Sequence, residues 1–399
     1  MTARIPIEGD LDFVRTLLGA GAADMKYCYQ CSTCTVVCPI TPPGSPFPRK
    51  EMVQAQFGMK DKLVAGLDSW LCIHCNDCST RCPRGARPGD VMNVLRALSI
   101  EHFAVPGLLA RSARSAPGIL FLLLVPALII GVVVLGLHAP SGFAFLEGTI
   151  VFSRMLPVPV VDAIFIPAAI FAGVTLLLSL HRFVRAVAQE HPRTAQGEPL
   201  FAAVLGATGD IFSQRKFREC STNRPRARAH VMAMYGFIGL FVTTTLVAIF
   251  YYLNRFGFGA ALGPYDFFHP IKLLGNVSGI LLLLGCLLVV VRRMARPEAG
   301  RATAFDWVFV WVLLLAALTG FLSQGLRVLE APVAAYATYY VHLVFVFFLL
   351  AYAGYTKMAH VFFRAAAMVY ARWSGRGLDP ARSGQTGPTG HRSSDRDQA

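Results

Sequence analysis

The chain has 399 residues, 55% of them hydrophobic and only 15% charged, with a formal net charge of +14. That balance excludes an ordinary soluble globular protein, in which about 25% of residues are charged. The positive charge falls in short loops between long apolar runs, a pattern that fits an anionic lipid surface and needs no nucleic acid.

In chain order, residues 1–27 read as a short helical lead-in with apolar positions at Leu11, Val14, Leu17 and Leu18. They carry acids early and no apolar stretch long enough for a secretory signal. Next comes Cys28-x-x-Cys31-x-x-Cys34-x-x-x-Cys38-Pro39, which recurs 44 residues later as Cys72-x-x-Cys75-x-x-Cys78-x-x-x-Cys82-Pro83. Eight of the ten cysteines belong to this duplicated run. It is the spacing that holds two [4Fe–4S] clusters through crossed ligands. Three close thiolates wrap one cubane, and the fourth, set off by the proline, reaches the other. Cluster one then draws on Cys28, Cys31, Cys34 and Cys82, and cluster two on Cys72, Cys75, Cys78 and Cys38. A zinc site, whose four ligands often come as two C-x2-C pairs, fits poorly, because the third and fourth cysteines of each run do not make such a pair and zinc has no use for the Cys-Pro ending. A disulfide framework would need an oxidising compartment. Cys220 and Cys286 stand alone and read as an unpaired thiol and a packed apolar residue. His74, inside the second run, reads as packing beside the cluster, while His102, His191 and His391 carry no signal.

Residues 47–66 and 90–104 read as helices, and no alternating strand pattern appears between the motifs. Residues 1–110 are therefore expected to form an α-helical ferredoxin-like domain rather than the two-stranded bacterial type. Beyond them, six stretches reach the roughly 20 apolar residues that span a bilayer as helix: about 118–137, 159–181, 231–253, 271–291, 306–326 and 338–358. Open strands are excluded there, because their unpaired backbone would face lipid. The expected class is all-α, with a six-helix transmembrane cytochrome b-type bundle at 111–365 and a cytoplasmic tail at 366–399. The tail, rich in Gly, Ser, Pro, Thr and Arg from Trp373 onward, is expected to be disordered.

Loop charges set the orientation. The 182–230 segment holds Arg182, Arg185, Arg193, Arg215, Lys216, Arg218, Arg224, Arg226 and Arg228, and the 292–305 loop holds Arg292, Arg293, Arg296 and Arg301. The opposite loops have only Arg154 and Arg255. Both termini and the cysteine domain are thus expected in the cytoplasm of a bacterium, with the chain in its inner membrane. Residues 198–219 read as an interfacial amphipathic helix on that face.

An electron wire that ends at a membrane needs a carrier within it, and paired histidines can hold a haem iron axially. His342 and His360 are 18 residues apart. On one continuous helix that separation is five turns and about 27 Å, close to the roughly 30 Å of hydrocarbon, so one imidazole is expected near each membrane edge. For the inner haem the second ligand is expected to be His230, with His181 as the alternative. For the outer haem it is expected to be His269, with His138 as the alternative. Against this stands the common role of interfacial histidines as headgroup anchors. Lys272, one turn from His269, is the candidate for hydrogen-bonding a quinone carbonyl, with Gln324 and Arg327 as weaker candidates. Lys272 could equally snorkel to the interface.

The motifs resemble a known family. Cys28-Tyr29-Gln30-Cys31 through Cys38-Pro39, Pro46-Phe47-Pro48-Arg49-Lys50-Glu51-Met52, Trp70-Leu71-Cys72, Asn76-Asp77-Cys78-Ser79-Thr80, Cys82-Pro83-Arg84-Gly85 and Pro88-Gly89-Asp90-Val91 are similar to the C subunits of quinone-interacting membrane-bound oxidoreductase complexes. These join a C-type iron–sulfur part to an E-type membrane cytochrome b part of heterodisulfide reductases. The last five spans resemble the gamma subunit of respiratory nitrate reductase, whose final helix carries two haem-ligating histidines, here His342 and His360. His230 fits the partner on an earlier helix, but Leu240 and its neighbours stand where that family has a second, deeper histidine. Two haems b are expected from these pairs, and the missing deeper histidine would also be met by a single haem b. The resemblance implies electron exchange between a quinone or menaquinone pool and cytoplasmic flavin- and iron–sulfur-containing subunits, which would serve adenylylsulfate reductase in dissimilatory sulfur metabolism. Two rivals are a heterodisulfide reductase-type subunit serving a thiol–disulfide partner and a haem-free, membrane-anchored ferredoxin for metal-centre assembly. A transporter is disfavoured by the lack of midplane acids and inverted repeats.

Overall fold

The computed structural model describes residues 8–41, 45–214, 224–259, 263, 265–295 and 300–376. Arg215, Lys216, Arg218, Cys220, Arg296 and His391 lie outside the described residues, as do the ends of the lead-in and the tail. The described residues are helical and contain no strand.

The lead-in forms α1 (Leu11–Leu17), whose first turn is capped by Asp10 accepting from the Phe13 N–H at 2.8 Å. Each cysteine run encloses one short helix, α2 (Thr33–Val36) in the first and α6 (Asp77–Thr80) in the second. Between them, the single helix expected at 47–66 is divided into α3 (Arg49–Gln56) and α4 (Lys60–Val64), followed by α5 (Leu67–Leu71). The division falls at Gly58, where φ is +67° and a Cβ would lie 2.5 Å from the Asp10 carbonyl oxygen. Helix α7 (Pro88–Phe103) is buried on nearly every side, which makes it the central post of the cysteine domain. Helix α8 (Gly107–Ser112) leads into the apolar part.

Among the described residues, six helices are long and apolar enough to cross a membrane. They are the first span (Ala116–His138), second (Val158–Glu190), third (Arg224–Arg255), fourth (Pro270–Ala295), fifth (Ala304–Val328) and sixth (Pro332–Ala351). Their outer faces expose Leu, Ile, Val and Phe, such as Leu128, Val132, Ile170 and Leu177, as lipid-facing helices do. The third and fourth spans approach closely through Gly236, Gly239, Ser278 and Gly285, the small-residue packing by which apolar helices associate in lipid.

Five spans agree with expectation, and the sixth requires a correction. It was expected at 338–358 but runs from Pro332 to Ala351, after which residues 352–358 turn and a separate closing helix (Ala359–Ser374) begins. The continuation is drawn sideways by polar bonds: the Tyr355 hydroxyl donates to the Val105 carbonyl at 2.6 Å, and the Lys357 ammonium reaches Asp306 at 2.6 Å. The closing helix also crosses the boundary expected at residue 365. Trp373 is helical rather than part of a tail, and Arg376 donates from Nε to Asp68 at 3.0 Å. The segment expected at 198–219 is helical over Leu200–Ser213. That helix buries Ala203, Ala207 and Asp210 and exposes Leu200, Phe201 and Leu205, with Arg372 of the closing helix paired to Asp210 at 3.0 Å.

The second span has 33 residues, about 50 Å at 1.5 Å per residue, well beyond the roughly 30 Å of hydrocarbon. Its far end enters the cysteine domain, where Arg182 donates to the Phe103 carbonyl at 3.3 Å and the Leu67 N–H donates to His191 at 3.4 Å. One apolar core runs through both parts. Trp70 of α5 stacks on Phe363 of the closing helix (centroids 5.3 Å apart) and meets Phe183 of the second span edge-on at 5.9 Å. Trp70→Ala should therefore cost about 3–5 kcal/mol and lower the thermal unfolding midpoint of the detergent-solubilised chain. An unchanged midpoint would show that this aromatic contact does not hold the two parts together.

Candidate metal centres

The duplicated sequence is also a duplicated backbone. Gln30 and Ser32 have φ of +66° and +68°, and their counterparts 44 positions on, His74 and Asn76, have +55° and +67°. Helices α2 and α6 start one residue later in each copy, and the bonds Val36 N–H to Ser32 and Thr80 N–H to Asn76 match. Left-handed residues set among right-handed ones turn successive amides to one side, forming the concave nest that suits iron–sulfur sites.

The loops enclose two cavities. Cys38, Cys72, Cys75 and Cys78 line one, and Cys28, Cys31, Cys34 and Cys82 line the other. The fourth cysteine of each run has therefore crossed to the opposite cavity. The two are of similar size, as two copies of one motif require. The His74 N–H donates to Cys72 Sγ at 3.3 Å and the Ala86 N–H to Cys82 Sγ at 3.4 Å. Burial pushes the Cys38 thiol up to about 11 and raises Cys28, Cys34 and Cys78, whereas hydrogen bonds from Thr33 lower the exposed Cys31. Buried thiols of this kind become thiolates only beside strong positive charge, which cluster iron supplies. Among the described residues no three His, Cys, Asp or Glu side chains converge as for a single ion. The donor set and the amide nests fit [4Fe–4S] clusters.

The two cavities differ in surroundings. Cysteines 38, 72, 75 and 78 face the membrane part. There Arg96 of α7 and Arg364 of the closing helix each donate to the Cys72 carbonyl at 2.8 Å, and Arg226 of the third span donates to the His74 carbonyl. The other cavity lies toward solvent, with Cys31 exposed and Tyr29 and Val36 exposed beside it. Burial holds the His74 imidazole down at about 4, with Asp90 opposing the shift. The packing role expected for His74 matches its position, and Cys286 is buried among Leu282, Val290 and Leu313.

Of the candidate haem ligands, the structure brings His230 and His360 into the same neighbourhood: His360 is within electrostatic range of His230 and Arg364, and His230 within that of Arg226 and Arg364. His360 donates its Nδ1–H to the Lys357 carbonyl, which leaves Nε2 as the metal-facing nitrogen in the manner of outer-shell support for a ligand. Burial holds the His360 ring neutral, at about 3. His181 is exposed on the second span and does not join them.

His342 stands differently. The five-turn relation to His360 is lost, because residues 352–358 are not helical. His342 lies ten residues inside a helix that starts at Pro332, about 15 Å from its end by helical rise, and not at the membrane edge. Its Nδ1–H donates to the Ala316 carbonyl at 2.9 Å, and the ring lies against Gly320 of the fifth span. At that level the fourth span contributes Gly279, beside Phe321, and the third contributes Leu240. His269 precedes Gly279 by ten residues, about 15 Å along the helix, so the expected pairing of His269 with His342 is not formed. His269 instead stacks on Tyr265 (centroids 4.3 Å apart) and accepts the Ile271 N–H on Nδ1 at 3.3 Å, which puts the proton of a neutral ring on Nε2. His138 donates from Nε2 to the Met155 carbonyl at 2.9 Å.

Lys272 is half-buried near Arg327, and one turn deeper the buried Nδ2 of Asn276 has no hydrogen-bond partner. Asn276 was missed in the sequence, though a polar residue four positions after Lys272 on one helical face was a readable signal. The arginine grip on Cys72 and His74 was not readable, since its donors come from three distant segments.

Residues 27–87 match the 4Fe-4S dicluster domain family. The amino-terminal part is thus a 4Fe-4S dicluster domain, carried on a body of six helices of membrane-spanning length and apolarity. Its relatives are heterodisulfide reductase subunits of two kinds. The chain is 34% identical over 96 residues to a protein of Archaeoglobus profundus described as like the C subunit of heterodisulfide reductase, covering 24% of this chain and 51% of that one. It is 33% identical over 116 residues to the C subunit of the H(2):CoB-CoM heterodisulfide,ferredoxin reductase of Methanothermobacter marburgensis, covering 27% and 62%. It is 26% identical over 186 residues to the E subunit of the dihydromethanophenazine:CoB--CoM heterodisulfide reductase of Methanosarcina mazei, covering 45% and 68%. The chain spans about half to three-fifths of the length of these C-type relatives. One polypeptide here carries what the relatives hold as separate C and E subunits, the makeup of a C/E fusion. No solved structure matches the chain.

A Cβ on Gly89 would lie 1.9 Å from Asn76 Oδ1, within the loop that lines the membrane-side cavity. Gly89→Ala should cost that cluster and spare the other, so iron and sulfide fall to about half of the parent's. Full iron content in this variant would show that the loop tolerates the intrusion.

Proposed function

We propose that the chain is a membrane electron-transfer subunit linking a quinone or menaquinone pool to cytoplasmic flavin- and iron–sulfur-containing partner subunits. The observation that carries this reading is the juxtaposition of His230 and His360 with the loop of Cys72 and His74, joined through Arg226 and Arg364. Bound haem b and [4Fe–4S] clusters supply one-electron transfer; the rest is done by the chain. His230 and His360 hold haem b at the membrane end of the cysteine domain. Cys38, Cys72, Cys75 and Cys78 hold the nearer cluster, and Cys28, Cys31, Cys34 and Cys82 hold the farther one, where Tyr29 and Val36 face solvent for a partner to approach. The Trp70, Phe183 and Phe363 side chains exclude water between the two parts. Of the basic loop residues, Arg182, Arg226 and Arg301 bond to Phe103, His74 and Asp24 of the cysteine domain, which supports a cytoplasmic placement of that domain in a bacterial inner membrane.

The ligand set favours one haem. Among the described residues, the neighbours at the level of His342 are Gly320, Gly279 and Leu240, with no facing imidazole of the kind a second haem needs. Lys272 and Asn276 mark the quinone headgroup site on the opposite side of the membrane, where a carbonyl oxygen would satisfy the orphaned amide. The linkage to adenylylsulfate reductase rests on the resemblance to quinone-interacting oxidoreductases. The names of the relatives favour a second reading, a subunit serving a heterodisulfide partner. Reconstitution with each class of partner separates the two.

Dithionite-reduced minus oxidised spectra of the purified chain should show b-type bands. His230→Ala and His360→Ala should each abolish them, while His269→Ala leaves them intact. Unchanged haem in both of the first two variants sinks the ligand assignment. Among cysteines, Cys38→Ser should alter only the electron paramagnetic resonance of the membrane-side cluster and Cys82→Ser only that of the solvent-side cluster. A change confined to each cysteine's own run would refute crossed ligation.

A further inference from the structure

His360 is the second residue of the closing helix and follows seven non-helical residues, so no helical register fixes its ring. Something else must. Its Nδ1–H is received by the Lys357 carbonyl, and that carbonyl is only as steady as residue 357. The Lys357 ammonium is buried between two partners, Asp306 Oδ1 at 2.6 Å and Asn93 Oδ1 at 2.9 Å. Asn93 in turn donates from Nδ2 to Asp306 Oδ2 at 2.8 Å, closing a three-membered ring of side chains. Asp306 is immobilised by the capping box of the fifth span, accepting the Thr303 N–H and hydroxyl, each at 2.9 Å. The three corners come from the cysteine domain (Asn93, α7), the fifth span (Asp306) and the turn before the closing helix (Lys357).

We propose that Asn93, Asp306 and Lys357 form a clamp that positions His360, fixing its imidazole plane relative to both the membrane bundle and the membrane-side cluster loop. The inference rests on the reading of His360 as a haem ligand. Stability alone gives no reason for the charges: a buried ion pair is often no better than a well-packed apolar pair of the same volume, while removing one partner is costly. What the charges supply is direction. Lys357 is a positioning residue, holding a backbone oxygen at the point where His360 needs a proton acceptor. Asn93 ties that same point to α7, which lines the membrane-side cavity through Gly89 and Met92. The cluster loop and the histidine are therefore held to one frame.

The test uses the full chain in detergent or nanodiscs. It compares the parent with Lys357→Met, Asn93→Leu and Lys357→Arg, the last keeping the ion pair while displacing the carbonyl. Ferric haem electron paramagnetic resonance reads the imidazole orientation, potentiometry reads the haem midpoint, and the cluster signals report folding. Lys357→Met should retain haem about tenfold less well, the low end of what an outer-shell partner contributes. Lys357→Arg and Asn93→Leu should keep haem and clusters but shift the haem g-values and midpoint. Parent-like g-values and midpoint in Lys357→Arg overturn the clamp, whether or not Lys357→Met assembles. Absence of haem from the parent would instead overturn the haem reading itself, so the two failures are distinguishable.

Discussion

Three guanidinium groups pulling on two backbone carbonyls hold the molecule's two parts in their working relation. Arg96, Arg226 and Arg364 belong to the cysteine domain, the third span and the closing helix, and they meet at Cys72 and His74. Hydrogen bonds from charged donors contribute about 1.5–3 kcal/mol each, and burying the arginines without acceptors would be strongly unfavourable. The peptide plane adds a geometric consequence. When the loop carbonyls turn outward to the arginines, the amides turn inward to the thiol-lined cavity. Docking to the membrane part and shaping the cluster cradle are thus one event. The same grip places positive charge beside a site that must hold thiolates, which is the sign electrostatics requires.

The arrangement depends on helices longer than a bilayer needs. The second and third spans overshoot the hydrocarbon, and their ends carry Phe183, Arg182 and Arg226 into contact with the cysteine domain. A hinge at the membrane surface would have separated the carriers. Instead one apolar core runs from Phe13 to Ala371, so the cysteine domain is seated on the bundle and not tethered to it. The buried polar ring of Asn93, Asp306 and Lys357 lies at the same junction, where charges can persist because each meets a fixed partner.

Much of this was legible in the chain. The doubled cysteine run read directly as two sets of four thiols with the fourth member exchanged, and the two cavities are lined in that way, because the spacing within each run leaves little freedom. Five of the six spans could be placed from apolar length alone. The sixth misled for a physical reason. Residues 352–358 (Tyr-Ala-Gly-Tyr-Thr-Lys-Met) are more polar than the span before them, but a window of membrane-spanning length absorbs them into its apolar run, and hydropathy cannot see that Tyr355 and Lys357 find polar partners in Val105 and Asp306. Once the helix breaks, the 18-residue interval between His342 and His360 no longer sets two imidazoles on one face. His269 failed as a partner for the same kind of reason, since depth depends on where each helix starts and on what it packs against.

Local chemistry decided everything that lies within a short stretch of chain. The sequence by itself determined the all-helical class, the two thiol cages, the membrane-spanning stretches and the basic side, because ligand spacing and apolar length act over neighbouring residues. Tertiary structure alone decided which histidines meet, where the last span ends and what steadies His360. Those outcomes depend on side chains such as Asn93 and Lys357, 264 positions apart, whose pairing is governed by burial and packing that no local pattern records.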